Sequence, residues 1–133
     1  MLKLRIANLN KKTDFDRAGI RLPRYDALKM AARTKEAPTW IHFGAGNIFR
    51  SFLAALVQDS LNKGETDTGL IAAESFDPEI IDKIYKPYDN LSLLVKMRAD
   101  GSMEKELIAS VAESLNADCS NTEDWYRLNE LFQ

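Results

Sequence analysis

Two glycines separated by one residue, Gly44 and Gly46, mark the part of the sequence best suited to binding chemistry. They follow a β-branched and aromatic run at residues 39–43, which predicts a buried strand, and they precede an amphipathic helical stretch. The first glycine permits a tight turn, and the second lets the backbone approach a diphosphate because no Cβ stands in the way. The free N–H groups of Asn47 and Ile48 at the start of the helix then favour an anion. The pattern predicts a dinucleotide-binding turn.

The full turn, Gly44-Ala45-Gly46-Asn47-Ile48-Phe49-Arg50, departs from the usual three-glycine pattern at one position. Phe49 occupies the place of the third glycine of G-x-G-x-x-G, which serves close packing of the helix on the strand. We therefore expect a wider helix–sheet spacing or a rotated helix, with the phosphate site retained. Ala45 is included among the expected cofactor contacts as part of the turn. Arg50, one turn into the helix, is placed to reach back to the diphosphate, and a solvent-exposed helical arginine is the alternative.

A carboxylate ends the next apolar run. Glu74 closes a predicted strand at residues 69–74, and it lies farther from Gly46 than the roughly 20 residues usual for a ribose-binding acid. The long helix and a polar loop between them account for the excess. A carboxylate here accepts hydrogen bonds from the ribose hydroxyls and repels a 2′-phosphate, so Glu74 predicts NAD rather than NADP. A solvent-exposed charge at the end of the strand is the alternative.

The remaining reactive side chains predict no catalytic residue and no metal ligand within this chain. The single histidine, His42, falls within the first strand, where a buried and hydrogen-bonded role is expected. The single cysteine, Cys119, lies far from it between an aspartate and a serine, so it is expected to be an incidental thiol. One histidine and one distant cysteine offer no zinc-binding spacing.

The composition is that of one globular domain. The chain has 133 residues, of which 45% are hydrophobic and 29% charged, with a net charge of −2. This balance predicts no nucleic-acid partner, and no apolar run approaches the roughly 18 residues of a membrane helix. The first residues lack the apolar region of a signal peptide, and the lone cysteine suits a reducing compartment. A cytoplasmic location is therefore expected.

Hydrophobic periodicity indicates the elements that must position the turn. After the first strand it predicts a helix over 46–63 ended by Gly64, the strand at 69–74, and a helix that starts at Asp77-Pro78. Two strands at 91–98 and 104–112 are joined by the turn signal Asp100-Gly101, and a last helix has its capping box at Ser120 and Glu123. This order predicts an α/β Rossmann-type domain, the N-terminal part of a doubly wound, mostly parallel sheet with a β-hairpin. Residues 1–37 are interpreted as an N-terminal extension and residues 38–133 as a partial nucleotide-binding domain.

The stretch Ile41-His42-Phe43-Gly44-Ala45-Gly46-Asn47-Ile48-x-Arg50 resembles the phosphate loop of the polyol-specific long-chain dehydrogenases. This family includes mannitol dehydrogenases, mannitol-1-phosphate dehydrogenases and the hexuronate reductases, also called mannonate and altronate oxidoreductases. The segment Leu22-Pro23-x-Tyr25-Asp26 is similar to the leader of the mannitol dehydrogenase and hexuronate reductase branch. In contrast, Phe49-Arg50-Ser51-Phe52 departs from the His-Arg-Ala-His of several uronate reductases.

The resemblance implies an oxidoreductase that uses NAD(P) without a metal to interconvert a small sugar alcohol or sugar acid with its ketose or ketouronate, and Glu74 favours NAD. Members of the family carry a catalytic lysine in a K-x4-N-x2-H pattern of a C-terminal domain. That pattern is absent here, so the chain is expected to be an N-terminal fragment that is inactive alone.

Two other functions stay open at this point. A stand-alone nucleotide-sensing Rossmann module has a similar length, but it would carry the third glycine and be complete at this length, whereas the last apolar stripe here stops at Phe132-Gln133. A methyltransferase that uses S-adenosylmethionine shares the G-x-G pattern and the acid at the strand end. The loop here lacks the further glycine expected of it.

Overall fold

The computed structural model describes all residues from Met1 to Gln133 and arranges six strands in two three-stranded sheets. One sheet has the order β2-β3-β6 with all strands parallel. In the other sheet, of order β1-β5-β4, β4 and β5 form an antiparallel hairpin and β1 runs parallel to β5. The strands are β1 (Ile20–Arg21), β2 (Ile41–Phe43), β3 (Leu70–Glu74), β4 (Ser92–Met97), β5 (Met103–Ile108) and β6 (Val111–Asn116).

Helices cover the parallel sheet and connect its strands. The four α-helices are α1 (Lys12–Arg17), α2 (Ala27–Glu36), α3 (Ala54–Lys63) and α4 (Thr122–Glu130). A π-helical turn, Phe49–Leu53, leads directly into α3, and the connection after β3 contains a second π-helical turn, Ile81–Tyr85, followed by a 3₁₀ turn at Lys86–Tyr88. None of these helices has the length and apolar character needed to cross a membrane.

The centre of the parallel sheet is β3, all of whose residues are buried. Leu70 and Ala72 face a core that contains Tyr85, whereas Ile71 and Ala73 face a second core closed by Leu128 of α4. A parallel strand covered on both faces reads as a continuous apolar run, as β3 does. Because β2 and β3 are parallel neighbours, their carboxyl ends meet at the same edge of the sheet.

The predicted α/β fold with a parallel sheet and a hairpin is confirmed. Gly64 ends α3 in the left-handed conformation, with φ of 73°, as the sequence indicated. Residues 1–37 add β1 to the hairpin sheet and place the buried ring of Phe15 in a core with Leu107. In the same segment, Asp26 caps α2, and its Oδ1 accepts from Lys29 N–H at 3.0 Å.

The prediction of one strand over 104–112 is wrong, because the chain leaves one sheet and enters the other at Ala109 and Ser110. The third strand of the parallel sheet is therefore β6 and not the strand expected at 91–98. Polar groups of the bend are bonded to the helix layer: Ser110 Oγ donates to the Ala54 carbonyl at 2.6 Å, and Ala109 N–H donates to Gln58 Oε1 at 2.7 Å. These partners are remote in sequence, and the apolar pattern continues through the bend.

The start of the last helix also differs from the prediction. Asn121, not Ser120, is the N-cap, and its Oδ1 accepts from Asp124 N–H at 3.2 Å. The capping interaction thus begins one residue later than the box that Ser120 and Glu123 suggested. Ser120 and Asn121 are both short polar residues that precede an acidic first turn, so the sequence pattern alone does not decide which of them is the N-cap.

Gly69, just before β3, lies very close to the bend at Ser110 that connects the two sheets. A Cβ at this position would lie 2.2 Å from the Ser110 carbonyl oxygen and 2.6 Å from Met30 sulfur. We expect Gly69→Ala to lower the free energy of unfolding by about 1–3 kcal/mol through overpacking. The measurement is urea denaturation. Gly46→Ala is the matched control, since its Cβ would meet no atom within 4 Å; equal stability of the two variants would contradict the packing at Ser110.

Candidate functional site

The turn after β2 lies across the carboxyl end of β3. Gly44 N–H donates to the Ala73 carbonyl at 2.8 Å, which continues the parallel pairing of Phe43 with Ala73 for one more residue. The φ of Gly44 is +109°, a region that favours glycine because a Cβ would be strained there. This conformation ends the strand and turns the chain toward the helix. The first glycine of the pattern is thus required by the backbone.

Gly46 has a different environment. A Cβ at this position would contact no atom within 4 Å, and its φ is not positive, so nothing in the chain's own packing calls for a glycine. The backbone N–H groups of Gly46, Asn47 and Ile48 have no acceptor in the chain. Three consecutive donors therefore stand at the start of a helix beside open space, an arrangement suited to an anion with several oxygens.

The Ala45 peptide groups, in contrast, are bonded within the chain. Ala45 is fully buried, and its N–H donates to Glu74 Oε2 at 2.8 Å. Its carbonyl oxygen accepts from the Tyr85 hydroxyl at 2.7 Å and from Arg50 Nη1 at 3.1 Å. Ala45 was expected to be a direct contact, but its N–H is engaged below the turn. It holds the turn in place between two better exposed glycines.

Glu74 joins the loops that follow β2 and β3. Besides Ala45, it bonds the N–H groups of Phe76 at 2.9 Å and Asp77 at 3.3 Å, both through Oε1. Burial raises the pKa of Glu74, but the backbone N–H groups that bond its carboxylate outweigh this, so the pKa is lowered overall. The side chain is only 8% exposed, which contradicts the alternative of a solvent-exposed charge. Oε2 accepts one hydrogen bond and can accept another.

Arg50 brings a positive charge to the same turn. Its guanidinium donates to the Ala45 carbonyl and to Asn47 Oδ1, and it lies 5.7 Å from the ring centroid of Tyr85. None of these partners is a carboxylate, so the charge is not neutralised by an ion pair. Arg50, together with Asn47 and Ser51, also lines a cavity of about 230 Å³, and the start of β4 lines its other side.

His42 and Phe49 shape the turn from the strand side. His42 is half-buried rather than fully buried; its Nδ1 lies 2.9 Å from the Gly44 carbonyl, and its ring stacks on Phe49 with centroids 4.7 Å apart. Phe49, in the position of the third glycine, is buried. The helix accommodates this ring through a π-helical turn, in which Ala54 N–H bonds the Phe49 carbonyl. Cys119 is exposed and free.

Two residues of this region were missed by the sequence patterns. Tyr85 is only 2% exposed, and its hydroxyl bonds the Ala45 carbonyl. Burial raises the pKa of Tyr85 to about 12, and the protonated hydroxyl is the donor of this bond at neutral pH. Phe76, two residues after Glu74, is 97% exposed. Tyr85 looks like any other apolar residue of a helix face, and no local signal reveals its bond. An aromatic residue in the loop directly after the acid was an available signal for Phe76.

No protein-family model matches the chain. The D-mannonate oxidoreductase of Thermotoga maritima is 50% identical over 130 residues, which are 94% of this chain and 24% of that protein. Among solved structures, the chain is similar to Pseudomonas fluorescens mannitol 2-dehydrogenase, determined as a ternary complex with NAD and D-mannitol, with a TM-score of 0.68, 22% identity, and coverage of 92% of this chain and 23% of that one. It is also similar to a substrate-free D-sorbitol dehydrogenase, with a TM-score of 0.64, 23% identity, and coverage of 80% and 21%.

These similarities confirm the resemblance to the polyol-specific long-chain dehydrogenases that the phosphate loop indicated. The likeness to the solved structures establishes the Rossmann-type fold. The chain spans about a quarter of the length of these relatives. The activities of these whole proteins therefore serve only to propose a function for this chain.

The Glu74 carboxylate predicts a pH dependence of stability. Because its folded pKa lies below the usual value of 4.5, the unfolded chain binds more protons, and the stabilisation is present above that value and lost as the pH falls through the folded pKa. Glu74→Gln places an amide donor against the N–H groups of Phe76 and Asp77. We expect it to cost about 1–3 kcal/mol at pH 7.

Urea unfolding of both proteins between pH 7 and pH 3 measures this effect, and the difference should shrink below the usual carboxyl pKa. Glu65→Gln, at an exposed loop position, is the control and should change the free energy of unfolding by less than about 0.5 kcal/mol. A difference between wild type and Glu74→Gln that stays constant down to pH 3 would show that the charge contributes nothing.

Proposed function

We propose that this chain is the NAD-binding part of an oxidoreductase that interconverts a sugar alcohol or aldonate with the corresponding ketose or ketouronate. The observation that carries the proposal is the row of free N–H groups at Gly46, Asn47 and Ile48, beside open space at the carboxyl edge of parallel strands. Ligands of open α/β sheets bind at this edge. We propose residues 38–133 as a partial nucleotide-binding domain and residues 1–37 as an extension that packs on it.

The residues present fit a dinucleotide diphosphate. Gly44 supplies the tight turn, and the missing Cβ of Gly46 leaves the space that the diphosphate needs. We assign the diphosphate oxygens to the N–H groups of Gly46, Asn47 and Ile48, with Ala45 as the buried support of the turn. Arg50 offsets the negative charge, since its guanidinium has no carboxylate partner.

Glu74 supports NAD rather than NADP in this proposal. Its lowered pKa keeps it charged at neutral pH, and the second acceptor position of Oε2 suits a ribose hydroxyl. A 2′-phosphate would be repelled by the same carboxylate. Glu74 thus has two roles, one toward the loops of the chain and one toward the adenosine ribose.

NAD, when bound, supplies the nicotinamide that accepts or donates the hydride. The residues of this chain bind and orient the cofactor, and the geometry gives none of them a role in proton transfer. His42 Nδ1 is already bonded to the Gly44 carbonyl, on the strand side of the turn. We place the proton acceptor in the part of the relatives' length that this chain does not span.

We base the proposed substrate class on the sequence identity between this chain and relatives that act on different sugars. The relative that is 50% identical is a mannonate oxidoreductase, whereas the relatives that act on neutral sugar alcohols are 22% and 23% identical. We therefore favour a sugar acid of the mannonate kind over a free sugar alcohol. A reducing compartment such as the cytoplasm suits the exposed free thiol of Cys119.

The diphosphate site is tested at Gly46. We expect the wild-type chain to bind NADH more tightly than NADPH, and Gly46→Val to weaken NADH binding at least tenfold, or about 1.4 kcal/mol, because the new side chain fills the diphosphate space. The fold should survive, since a Cβ there meets no atom within 4 Å. Fluorescence titration gives the affinities, and thermal unfolding checks the fold.

Leu56→Val is the matched control, on the exposed side of α3 and away from the turn. An unchanged NADH affinity in a folded Gly46→Val variant would refute the diphosphate site. Tighter binding of NADPH than of NADH would refute the assignment of Glu74.

Phe76 is proposed to pack against the adenine. Its ring is exposed and comes two residues after the proposed ribose-binding acid, and stacking of a base on an aromatic side chain is worth about 1–3 kcal/mol. Phe76→Ala should weaken NADH binding at least about fivefold but leave binding of reduced nicotinamide mononucleotide, which lacks adenine, unchanged. Tyr126→Ala, at another exposed aromatic position, on α4, is the control. Equal losses for both ligands would exclude an adenine contact.

A further inference from the structure

The peptide group between Ala45 and Gly46 is the link between the core and the proposed diphosphate site. Its carbonyl oxygen belongs to Ala45 and points to the Tyr85 hydroxyl at 2.7 Å and to Arg50 Nη1 at 3.1 Å. Its N–H belongs to Gly46 and has no acceptor in the chain. In a trans peptide the C=O and N–H vectors point in opposite directions. A bond that holds the carbonyl inward therefore turns the Gly46 N–H outward.

Glycine makes this orientation vulnerable. Rotation of the preceding peptide plane by half a turn changes the φ of Gly46, and a residue without a Cβ tolerates φ of either sign. The rotated plane would present the Ala45 carbonyl, which carries partial negative charge, to the place where the free N–H groups stand. One such rotation converts an anion-binding turn into an anion-repelling one.

Tyr85 is the partner best able to prevent that rotation. It is buried with 2% exposure and packs in one core with Ala45 and Phe49, so its hydroxyl has a fixed position. Arg50 is less buried, and its bond to the same oxygen is longer. Tyr85 comes from the connection after β3, whereas the turn follows β2. The orientation of the turn is therefore set by the neighbouring strand–helix unit.

We infer that Tyr85 is a positioning residue for the cofactor: its hydroxyl locks the Ala45–Gly46 peptide so that the Gly46 N–H faces the diphosphate. This inference rests on the proposed function and adds to it a residue outside the glycine turn. It assigns Tyr85 no contact with the cofactor. It acts through the carbonyl of Ala45.

The test compares Tyr85→Phe with Tyr25→Phe. The control also loses one tyrosine hydroxyl that donates to a side-chain or backbone oxygen, here Gln58 Oε1 at 3.0 Å, at a site that does not touch the turn. We expect Tyr85→Phe to weaken binding of NADH and of ADP about tenfold, the value of one lost hydrogen bond, and Tyr25→Phe to leave both affinities within twofold of wild type. Titration of the full 133-residue chain gives the affinities.

A spectroscopic readout separates positioning from general loss of stability. In ¹⁵N-labelled protein, the Gly46 amide signal of Tyr85→Phe should be broadened or doubled without ligand, and that of Tyr25→Phe should match wild type. Wild-type affinity in Tyr85→Phe, or equal losses in both variants, would overturn the inference and leave the proposed function standing. Failure of the wild-type chain to bind NADH would overturn the proposed function, and the positioning role with it.

Discussion

The hydrogen bond from Ala45 N–H to the Glu74 carboxylate is the interaction on which the site depends. It joins the ends of two parallel strands by one short contact of 2.8 Å. Burying a carboxylate is unfavourable, and here the cost is offset because backbone N–H groups from both loops bond it. The charge is thus held by the two segments that it positions. Without it, the turn after β2 would lose its direct bond to the residue that also holds the loop after β3.

Three glycines in this chain, Gly44, Gly46 and Gly69, lie in three different physical environments. Gly44 adopts a positive φ, and Gly69 lies so close to Ser110 that any side chain would clash. Both requirements come from the fold itself. Gly46 has an ordinary φ and open space around its missing Cβ, so the fold gives no reason for it. In the proposed function, a ligand that approaches the backbone accounts for this glycine.

The local patterns predicted the features that depend on neighbours in sequence. The strand before Gly44, the helix after it and the strand that ends at Glu74 all follow from periodicity and turn residues, and they brought the turn and the acid to one edge. The bend at Ser110 and the bond from Tyr85 were not predictable in this way. Each depends on a partner about forty or more residues away, Ala54 for Ser110 and Ala45 for Tyr85. The sequence does not reveal which pairs of distant buried polar atoms will form hydrogen bonds.

Ala45 is bonded to a negatively charged residue at its N–H and to a positively charged residue at its carbonyl. Glu74 lies on its N–H side and is negative, and Arg50 lies on its carbonyl side and is positive. The carboxylate would repel a diphosphate placed above the turn, but the N–H groups that bond the carboxylate reduce its electric field. The Arg50 guanidinium contacts only neutral partners, so its positive charge still attracts the diphosphate. Under the proposed function, the anion meets a net positive environment made of N–H dipoles and one cation without a carboxylate partner. In the proposed function, the same carboxylate that builds the turn also discriminates against an additional phosphate on the ribose, since both groups are negatively charged.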